Sequence, residues 1–201
     1  MKKRLVVAVT NDLTFDQRMI RICHSLAASG YSLTLVGRKF KKSVPLSAVP
    51  YHQKRLASFF EKGKLSYLEY NVRLFFYLLF EKADIVCAVD LDTIVPCYII
   101  SRIKGAKRVY DAHELFCEMK EVVTRPFIYK MWKKVEKFTV PSFKNGYTVS
   151  HFISDEFKKM YEVNYETIRN LPILQRMNVP EKIEKFILSC MIRNSMSRMQ
   201  C

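Results

Sequence analysis

Two short apolar segments that end in ionisable residues constrain the fold of this chain more than any other feature. The first covers residues 85–89 and is followed at once by Asp90. The second covers residues 107–110 and leads into Asp111, His113 and Glu114. The first segment is apolar throughout, and the second is apolar at Val109 and Tyr110. Such segments are typical of strands buried in a parallel sheet. Ligands of open α/β sheets bind at the carboxyl ends of the strands, so we expect these polar residues to share one edge.

The start of the chain predicts the first unit of such a sheet. Residues 5–9 form a continuous apolar run, and a polar loop with two N-cap candidates, Thr14 and Asp16, follows it. The spacing then predicts a helix over 17–28, which Gly30 ends, and a second strand over 32–37. This order predicts an α/β fold, a Rossmann-like doubly wound parallel sheet with helices on both faces.

The later elements are predicted from apolar periodicity and capping residues. Helices are expected over 65–80, 94–103, 127–139 and 151–161, and strands near 47–52, 108–110, 147–149 and 165–168. The helix over 94–103 is apolar nearly all round, so it is expected to be buried. The helix over 65–80 contains the apolar run 74–80 and is also expected to be buried, with an interfacial position as the alternative. Asp92 is the predicted N-cap of the helix over 94–103, Ser150 that of the helix over 151–161, and Asn145-Gly146 a predicted turn.

The composition indicates in which cellular compartment the protein is located. No run of about 18 uncharged apolar residues occurs, and the apolar run near the start is too short for a signal peptide. The six cysteines form no C-x-x-C pair and no zinc spacing, which is typical of a reducing compartment. The protein is therefore predicted to be cytoplasmic, with peripheral attachment to the inner face of the membrane as an alternative.

The positive charge of the chain indicates anionic partners. Lysine and arginine total 34 against 19 acidic residues, which gives a net charge of +15. Residues 38–64 hold eight basic residues and one acidic residue, so this segment is a candidate for contact with an anionic membrane surface. A solvated basic face is the simpler interpretation. Nucleic acid is not an expected partner, because no reader module and no strand face with interleaved aromatic residues is evident.

The motifs disfavour several kinds of chemistry. The loop after the first strand lacks the G-x-G-x-x-G of dinucleotide-binding proteins, and no Ser-His-Asp arrangement or cysteine nucleophile is evident. Asp90-Leu91-Asp92 has the form of a metal-binding D-x-D motif, but Asp92 is better placed to cap the next helix. Neither a metal nor a cofactor is expected.

Several short motifs, in the right order and at credible spacing, resemble a known family. They are Asp16-Gln17-Arg18 and the segments 30–38, 87–93, 109–114, 148–150 and 169–172. Together they resemble the N-terminal domain of bacterial glycosyltransferases of the family 4 type, which have the two-domain GT-B architecture. The resemblance covers residues 4 to about 175.

This resemblance implies one half of a two-domain enzyme. The first Rossmann-like domain of such an enzyme binds the acceptor, and the second binds most of the nucleotide-sugar. Residues 1–171 are accordingly predicted to form the acceptor-side domain, and residues 172–201 a linker with the truncated start of a missing C-terminal domain, or a disordered tail. The implied activity is sugar transfer from a nucleotide-sugar to a glycan or lipid-linked acceptor in cell-surface polysaccharide synthesis. The isolated chain is expected to be inactive without the missing domain or a partner chain.

The strand-end residues are the candidates for the site that the resemblance implies. His113 occupies the position of an active-site histidine, and Glu114 is a candidate to orient it or to bind a sugar hydroxyl. Acceptor binding is assigned to the residues around them, which are Asn11, Asp12, Asp16, Arg18, Asp90 and Asp111. The alternatives are structural: a histidine that holds its loop, and acidic residues that cap helices.

Two other functions stay open at this point. One is a non-catalytic α/β module that holds a phosphorylated or anionic ligand at the strand ends, where a helix N-terminus is a ready anion site. The other is a basic membrane-docking fragment that acts through residues 38–64.

Overall fold

The computed structural model describes residues 2–169 and residue 171. Its strands are β1 (Arg4–Ala8), β2 (Ser32–Lys39), β3 (His52–Ala57), β4 (Ile85–Val89), β5 (Lys107–Asp111), β6 (Asn145–Thr148) and β7 (Glu166–Thr167). Its α-helices are α1 (Gln17–Ala28), α2 (Lys64–Phe80), α3 (Ile94–Lys104), α4 (Lys120–Val123), α5 (Pro126–Thr139) and α6 (His151–Tyr161). Short 3-10 turns cover Leu91–Thr93, Phe116–Glu118 and Val140–Ser142. The predicted division of the chain at residue 171 stays a prediction, because residues 172–201 lie outside this description.

The strands form one parallel sheet in the order β3-β2-β1-β4-β5-β6-β7. Because β1 lies between β2 and β4, the chain crosses the sheet in one direction up to β3 and in the other from β4 onward. This reversal is the topological switch point, the place where ligands of doubly wound sheets bind. The predicted fold class, a Rossmann-like parallel sheet with helices on both faces, is confirmed.

The central strands β1 and β4 are apolar on both faces, which places a core on each side of the sheet. On one face, Val7 packs in a cluster with Cys23 of α1. On the other face, Val86 packs with Leu74 of α2 and Ile94 of α3, and side chains of α5 and α6 complete that layer. These two layers hold the strand ends in fixed positions, because a close-packed core tolerates little movement.

The local capping predictions hold for two helices. Helix α1 has the predicted bounds, and its N-cap is Asp16, whose carboxylate accepts a hydrogen bond of 3.0 Å from the amide of Met19. Ser150 caps α6 in the same way, through the amide of Ile153 at 3.3 Å. These caps satisfy amides that a helix start otherwise leaves free.

Two predicted boundaries are wrong. The weak strand expected near 47–52 begins instead at His52, which pairs with Thr34, because Pro50 has no amide to donate to a neighbouring strand. Asn145 and Gly146 begin strand β6 rather than forming a turn. A Cβ atom on Gly146 would lie 2.6 Å from the Tyr165 ring, so the glycine permits close packing here.

The exposure of α2 also differs from the prediction. Tyr70, Leu74 and Leu78 of α2 are buried, but Phe76 and Phe80 on the outward side are exposed. Helix α3 is largely buried, as predicted, although its apolar residues include three that are exposed: Val95, Ile99 and Ile103. Within the part of the chain that the structure describes, no helix is both long and apolar enough to cross a bilayer.

Candidate functional site

The candidate site lies at the carboxyl edge of the sheet, beside the switch point between β1 and β4. The loop after β1 and the first turn of α1 approach this edge from one side. The segments after β4 and β5 approach it from the other, because β4 pairs with both β1 and β5. The structure therefore brings together Arg18, Asp90, Asp111 and His113, which come from three separate segments of the sequence.

An ion pair joins Arg18 of α1 to Asp111 at the end of β5. The side chain of Asp111 is 0% exposed and that of Arg18 is 13% exposed, so the pair is largely shielded from solvent. The other carboxylate oxygen of Asp111 accepts a hydrogen bond of 2.8 Å from the hydroxyl of Tyr147 in β6. Because the carboxylate is enclosed and bonded on both sides, it holds Arg18 and Tyr147 in position.

His113 lies between two carboxyl groups. Its Nδ1 is 3.1 Å from Oδ1 of Asp90 and 3.8 Å from Oδ1 of Asp111. This nitrogen is buried, yet no hydrogen bond is aligned with it. Catalytic hydrogen bonds are often loose without a ligand and tighten when one binds, so this geometry suits a group that acts on a bound molecule.

Asp90 has a strained backbone. Its φ of 59° and ψ of 170° lie in a region that is almost restricted to glycine. The amide of Asp90 donates a hydrogen bond of 3.1 Å to the carbonyl of Asp111, which ties the end of β4 to the end of β5. Strain of this kind persists only where the surroundings enforce it, and it occurs frequently at functional sites.

The environment makes Asp90 and His113 resist ionisation. Burial raises the pKa of Asp90 to about 9, and the neighbouring charges of Asp92, Asp111 and Glu114 act in the same direction. Burial also lowers the pKa of His113, and the positive charge of Arg18 lowers it further. Both groups are therefore neutral near pH 7, which leaves the imidazole able to accept a proton.

The prediction that Asp92 caps α3 is wrong. Thr93 is the N-cap residue, and Oδ2 of Asp92 instead accepts a hydrogen bond of 2.6 Å from the hydroxyl of Thr10, just after β1. Burial raises the pKa of Asp92 to about 6, whereas the bond from Thr10 lowers it. The carboxyl group therefore links the ends of β1 and β4 across the switch point.

The loop after β1 is held by its own polar residues. The carboxylate of Asp12 accepts hydrogen bonds from the amide and hydroxyl of Thr14, the hydroxyl of Ser43 and the guanidinium of Arg55. Asp12 therefore shapes the loop. The other two predicted residues of this segment, Asn11 and Asp16, bond to each other. The side-chain amide of Asn11, which is exposed, donates a hydrogen bond of 3.2 Å to the carboxylate of Asp16.

Glu114 is exposed beside the cluster, and its charge contributes to the raised pKa of Asp90. The structure thus places all eight predicted residues at or beside one edge of the sheet. It does not test which of them contact a ligand or which are catalytic.

Unsatisfied buried polar atoms concentrate at this edge. Five such side-chain atoms occur among the described residues, and four belong to residues of this edge: Arg18 Nε, Asp92 Oδ1, His113 Nδ1 and Thr148 Oγ1. Buried polar groups in folded proteins are nearly always bonded, so a group of exceptions indicates a place where a ligand or water completes the bonds. Sequence reasoning missed Thr10, Tyr147 and Thr148. Thr10 follows the end of β1, so the rule that polar residues follow strands at a site would have found it, whereas Tyr147 and Thr148 lie within β6 and carry no such signal.

The site offers no evident metal centre. Within residues 2–169 and 171, no group of three or more histidine, cysteine, aspartate or glutamate side chains is arranged to hold a metal ion. Asp90 and Asp92 have separate partners, His113 and Thr10. The expectation of neither metal nor cofactor stays a prediction.

Solved structures share this fold at low sequence identity. Sucrose-phosphate synthase from Thermosynechococcus elongatus matches with a TM-score of 0.55 and 10% identity, over 96% of this chain and 99% of the matched chain. Os79 from O. sativa, solved with UDP and deoxynivalenol-3-glucoside, matches with a TM-score of 0.60 and 13% identity, over 91% of this chain and 57% of that one. A glycosyltransferase from Rickettsia africae matches with a TM-score of 0.54 and 15% identity, over 94% and 49%.

These likenesses show the fold, which is that of the Rossmann-like half of a GT-B glycosyltransferase. The chain spans about half the length of several matched chains, including 57% of Os79 and 49% of another sucrose-phosphate synthase chain. No protein-family model and no curated protein sequence matches it. Because one fold supports many reactions, the function must be argued from the site.

Proposed function

We propose that this chain is the acceptor-binding half of a GT-B glycosyltransferase of the family 4 type. It would act in cell-surface polysaccharide synthesis, on a nucleotide-sugar and a glycan or lipid-linked acceptor. One observation carries the proposal: His113 lies between Asp90 and Asp111 at the switch point, with unsatisfied buried polar atoms around it. The similar structures add weaker support, since one is a glycosyltransferase and another contains UDP.

The proposed reaction is displacement at the anomeric carbon of the donor sugar. The bond from this carbon to the diphosphate breaks, and the diphosphate leaves with the electron pair. A bond forms from the same carbon to the acceptor oxygen, and the proton of the acceptor hydroxyl passes to His113. The lowered pKa of His113 supports this role, because a neutral imidazole has a nitrogen lone pair available near pH 7.

The other residues have supporting roles in this proposal. Asp90 is neutral near pH 7, so it can donate a hydrogen bond to an acceptor oxygen. Asp111 and Arg18 position the cluster, because their ion pair is almost enclosed. Asn11, Asp16 and Glu114 form the rim that contacts acceptor hydroxyls, while Asp12 holds the loop. Binding of most of the nucleotide-sugar is assigned to the second domain of the architecture.

The alternative of an anion-binding module has less support at this site. The first amides of α1 are already used: the amide of Met19 bonds to Asp16, and that of Gln17 bonds to the carbonyl of Phe15 at 2.9 Å. The carboxylate of Asp16 would also repel an anion at this helix start.

The test compares sugar transfer by variants of the protein encoded by the complete reading frame. Release of UDP is measured with a panel of UDP-sugars and oligosaccharide or lipid-linked acceptors. His113→Ala is expected to lower kcat by a factor of about 100 or more, as loss of a general base does, with an unchanged unfolding midpoint. His151→Ala is the matched control, since this histidine is exposed at the start of α6 and should leave kcat unchanged.

Full turnover by His113→Ala would overturn the role of this histidine. Absence of transfer by the wild type, combined with tight acceptor-independent binding of inorganic phosphate, would favour the anion-binding module instead. Loss of phosphate binding in Arg18→Gln would locate that module at the same edge.

A further inference from the structure

The outward side of helix α2 is apolar along its whole length. Leu65, Leu68, Val72, Phe76 and Phe80 recur every three or four residues and are all exposed. Phe80 is 82% exposed. The solvent side of a surface helix normally carries polar residues, so an apolar stripe of four turns indicates a surface that another phase or molecule covers.

Helix α3 extends this stripe. It packs beside α2, and the ammonium group of Lys104 at its end donates a hydrogen bond to the carbonyl of Glu81, just after α2. Its exposed apolar residues, Val95, Ile99 and Ile103, follow each other at intervals of four. Together with the five residues of α2, these three residues form one surface, the apolar face.

A basic cavity of about 260 Å³ lies at the starts of β5 and β6, and β5 begins shortly after the end of α3. Its lining residues include Lys107, Arg108 and Lys144, together with Ser142 and Asn145, and none of them is acidic. None of the three cations forms an ion pair with a carboxylate of the described residues. Unpaired cations that converge on one cavity attract an anion, because the attraction of several like charges adds.

Aromatic side chains pack between the cavity and α3, where Tyr98 is buried. The Arg108 guanidinium lies over the Tyr98 ring at 5.6 Å, and the Phe138 ring packs edge-on against it at 5.5 Å. Phe138 is itself exposed. Ala106, which lines the cavity, comes three residues after Ile103 of the apolar face. A single partner could therefore contact both.

We propose that this surface docks on an anionic lipid bilayer, with the apolar face in the interfacial region and a headgroup phosphate in the basic cavity. Apolar side chains beside basic groups are what such a bilayer binds. A second copy of this chain is a poorer occupant, because a net charge of +15 on each copy opposes their association. This inference does not depend on the proposed sugar transfer. It moves the docking surface from residues 38–64 to α2, α3 and the cavity.

The test is co-sedimentation of the full chain with vesicles of phosphatidylcholine alone, or of phosphatidylcholine mixed with phosphatidylglycerol. Binding is expected to the mixed vesicles and to be much weaker with the neutral ones. Each lysine or arginine near an anionic surface contributes about fivefold to affinity, so the variant Lys107→Gln/Arg108→Gln/Lys144→Gln should bind roughly 100-fold more weakly. Phe80→Ser/Ile103→Ser should lose about tenfold or more, because less apolar area leaves water.

Two matched controls separate this surface from general attraction. Lys41→Gln/Lys42→Gln/Lys54→Gln removes the same charge from the segment 38–64, and Phe152→Ser removes an exposed phenylalanine from α6. Both should bind nearly as the wild type does. Circular dichroism melts check that every variant is folded, and Lys107→Gln/Lys144→Gln keeps the test available if loss of Arg108 unfolds the chain.

Three results would overturn the proposal. The first is no binding to either kind of vesicle. The second is an equal loss in the two cation variants, which would mean that net charge alone attracts the chain. The third is a dimer, measured by sedimentation velocity, that Phe80→Ser/Ile103→Ser dissociates while vesicle binding is unchanged, because the apolar face would then be an interface between copies.

Discussion

Arg18, in the first turn of α1, forms an ion pair with the fully buried carboxylate of Asp111 at the end of β5. This contact joins the two sides of the switch point. It fixes the start of α1, which follows the loop after β1. Arg18→Ala would leave a buried carboxylate with the Tyr147 hydroxyl and without its cation. Removing one partner of a buried ion pair typically costs roughly 3 kcal/mol or more, so we expect a loss of that order in the free energy of unfolding.

Urea denaturation at pH 7 measures this loss. The matched control is Arg4→Ala, because Arg4 and Asp84 form an exposed ion pair on the same sheet. Exposed pairs contribute little, so the control should unfold nearly as the wild type does. Equal and small losses in the two variants would show that Asp111 does not depend on Arg18.

The raised pKa of Asp90 predicts an unusual dependence of stability on pH. An ordinary aspartate has a pKa of about 4, whereas that of Asp90 is raised to about 9 in the folded protein, chiefly by burial. Between these values the folded state holds a proton that the unfolded state has released. The contribution of Asp90 to stability is therefore complete below about pH 4 and declines as the pH rises toward 9. Urea midpoints from pH 5 to 9 measure the decline.

Substitutions identify the groups responsible. Asp90→Asn has no proton to lose, so the decline in the urea midpoint should flatten across this range. Asp92→Asn should flatten it only up to about pH 6, the pKa to which burial raises Asp92. A wild-type slope that Asp90→Asn leaves unchanged would contradict the assignment to Asp90.

Replacing Asp90 by glycine should change stability and sugar transfer in opposite directions. Glycine adopts the φ of 59° and ψ of 170° without strain, so Asp90→Gly should stabilise the fold by about 1 kcal/mol while it weakens sugar transfer. Glu162→Gly is the comparison, since Glu162 also has a positive φ of 57° at the exposed end of α6. It should stabilise by a similar amount and leave transfer unchanged. A thermal melt and the UDP-release assay on each variant measure both effects, and full transfer by Asp90→Gly would argue against a role for this carboxyl.

The local features of this fold were predictable, and the long-range ones were not. Strand β4 and helix α1 have the bounds expected from their apolar pattern and caps, because both signals act within a few residues. The bond between Thr10 and Asp92 spans 82 positions, and the local capping preference of Asp92 pointed elsewhere. The pairing of Tyr147 with Asp111 depends on the register of β5 and β6, which no local pattern specifies.

The outward exposure of α2 could not be predicted, for a related reason. Periodicity indicates which side of a helix is apolar, but the continuous apolar run 74–80 of α2 gives no indication of which side its neighbours cover. In this fold, the sheet covers Leu74 and Leu78 and leaves Phe76 and Phe80 exposed. Composition therefore predicted burial where only the arrangement of the helices could decide it.

Gly37 of β2 supports the loop that shapes one side of the site. A Cβ atom at this position would lie 2.7 Å from the carbonyl oxygen of Asn11 and would overlap the side chain of Leu13. Gly37→Ala should therefore push the loop outward and destabilise the fold by roughly 1–3 kcal/mol, as overpacking does. The amide of Arg38 donates a hydrogen bond of 3.0 Å to the Asn11 carbonyl, so hydrogen exchange at this amide should accelerate in Gly37→Ala.

Gly63→Ala is the comparison, because nothing lies within 4 Å of its Cβ position and only backbone strain is added. If both variants change stability alike and exchange at Arg38 stays slow, the close approach at Gly37 does not hold the loop.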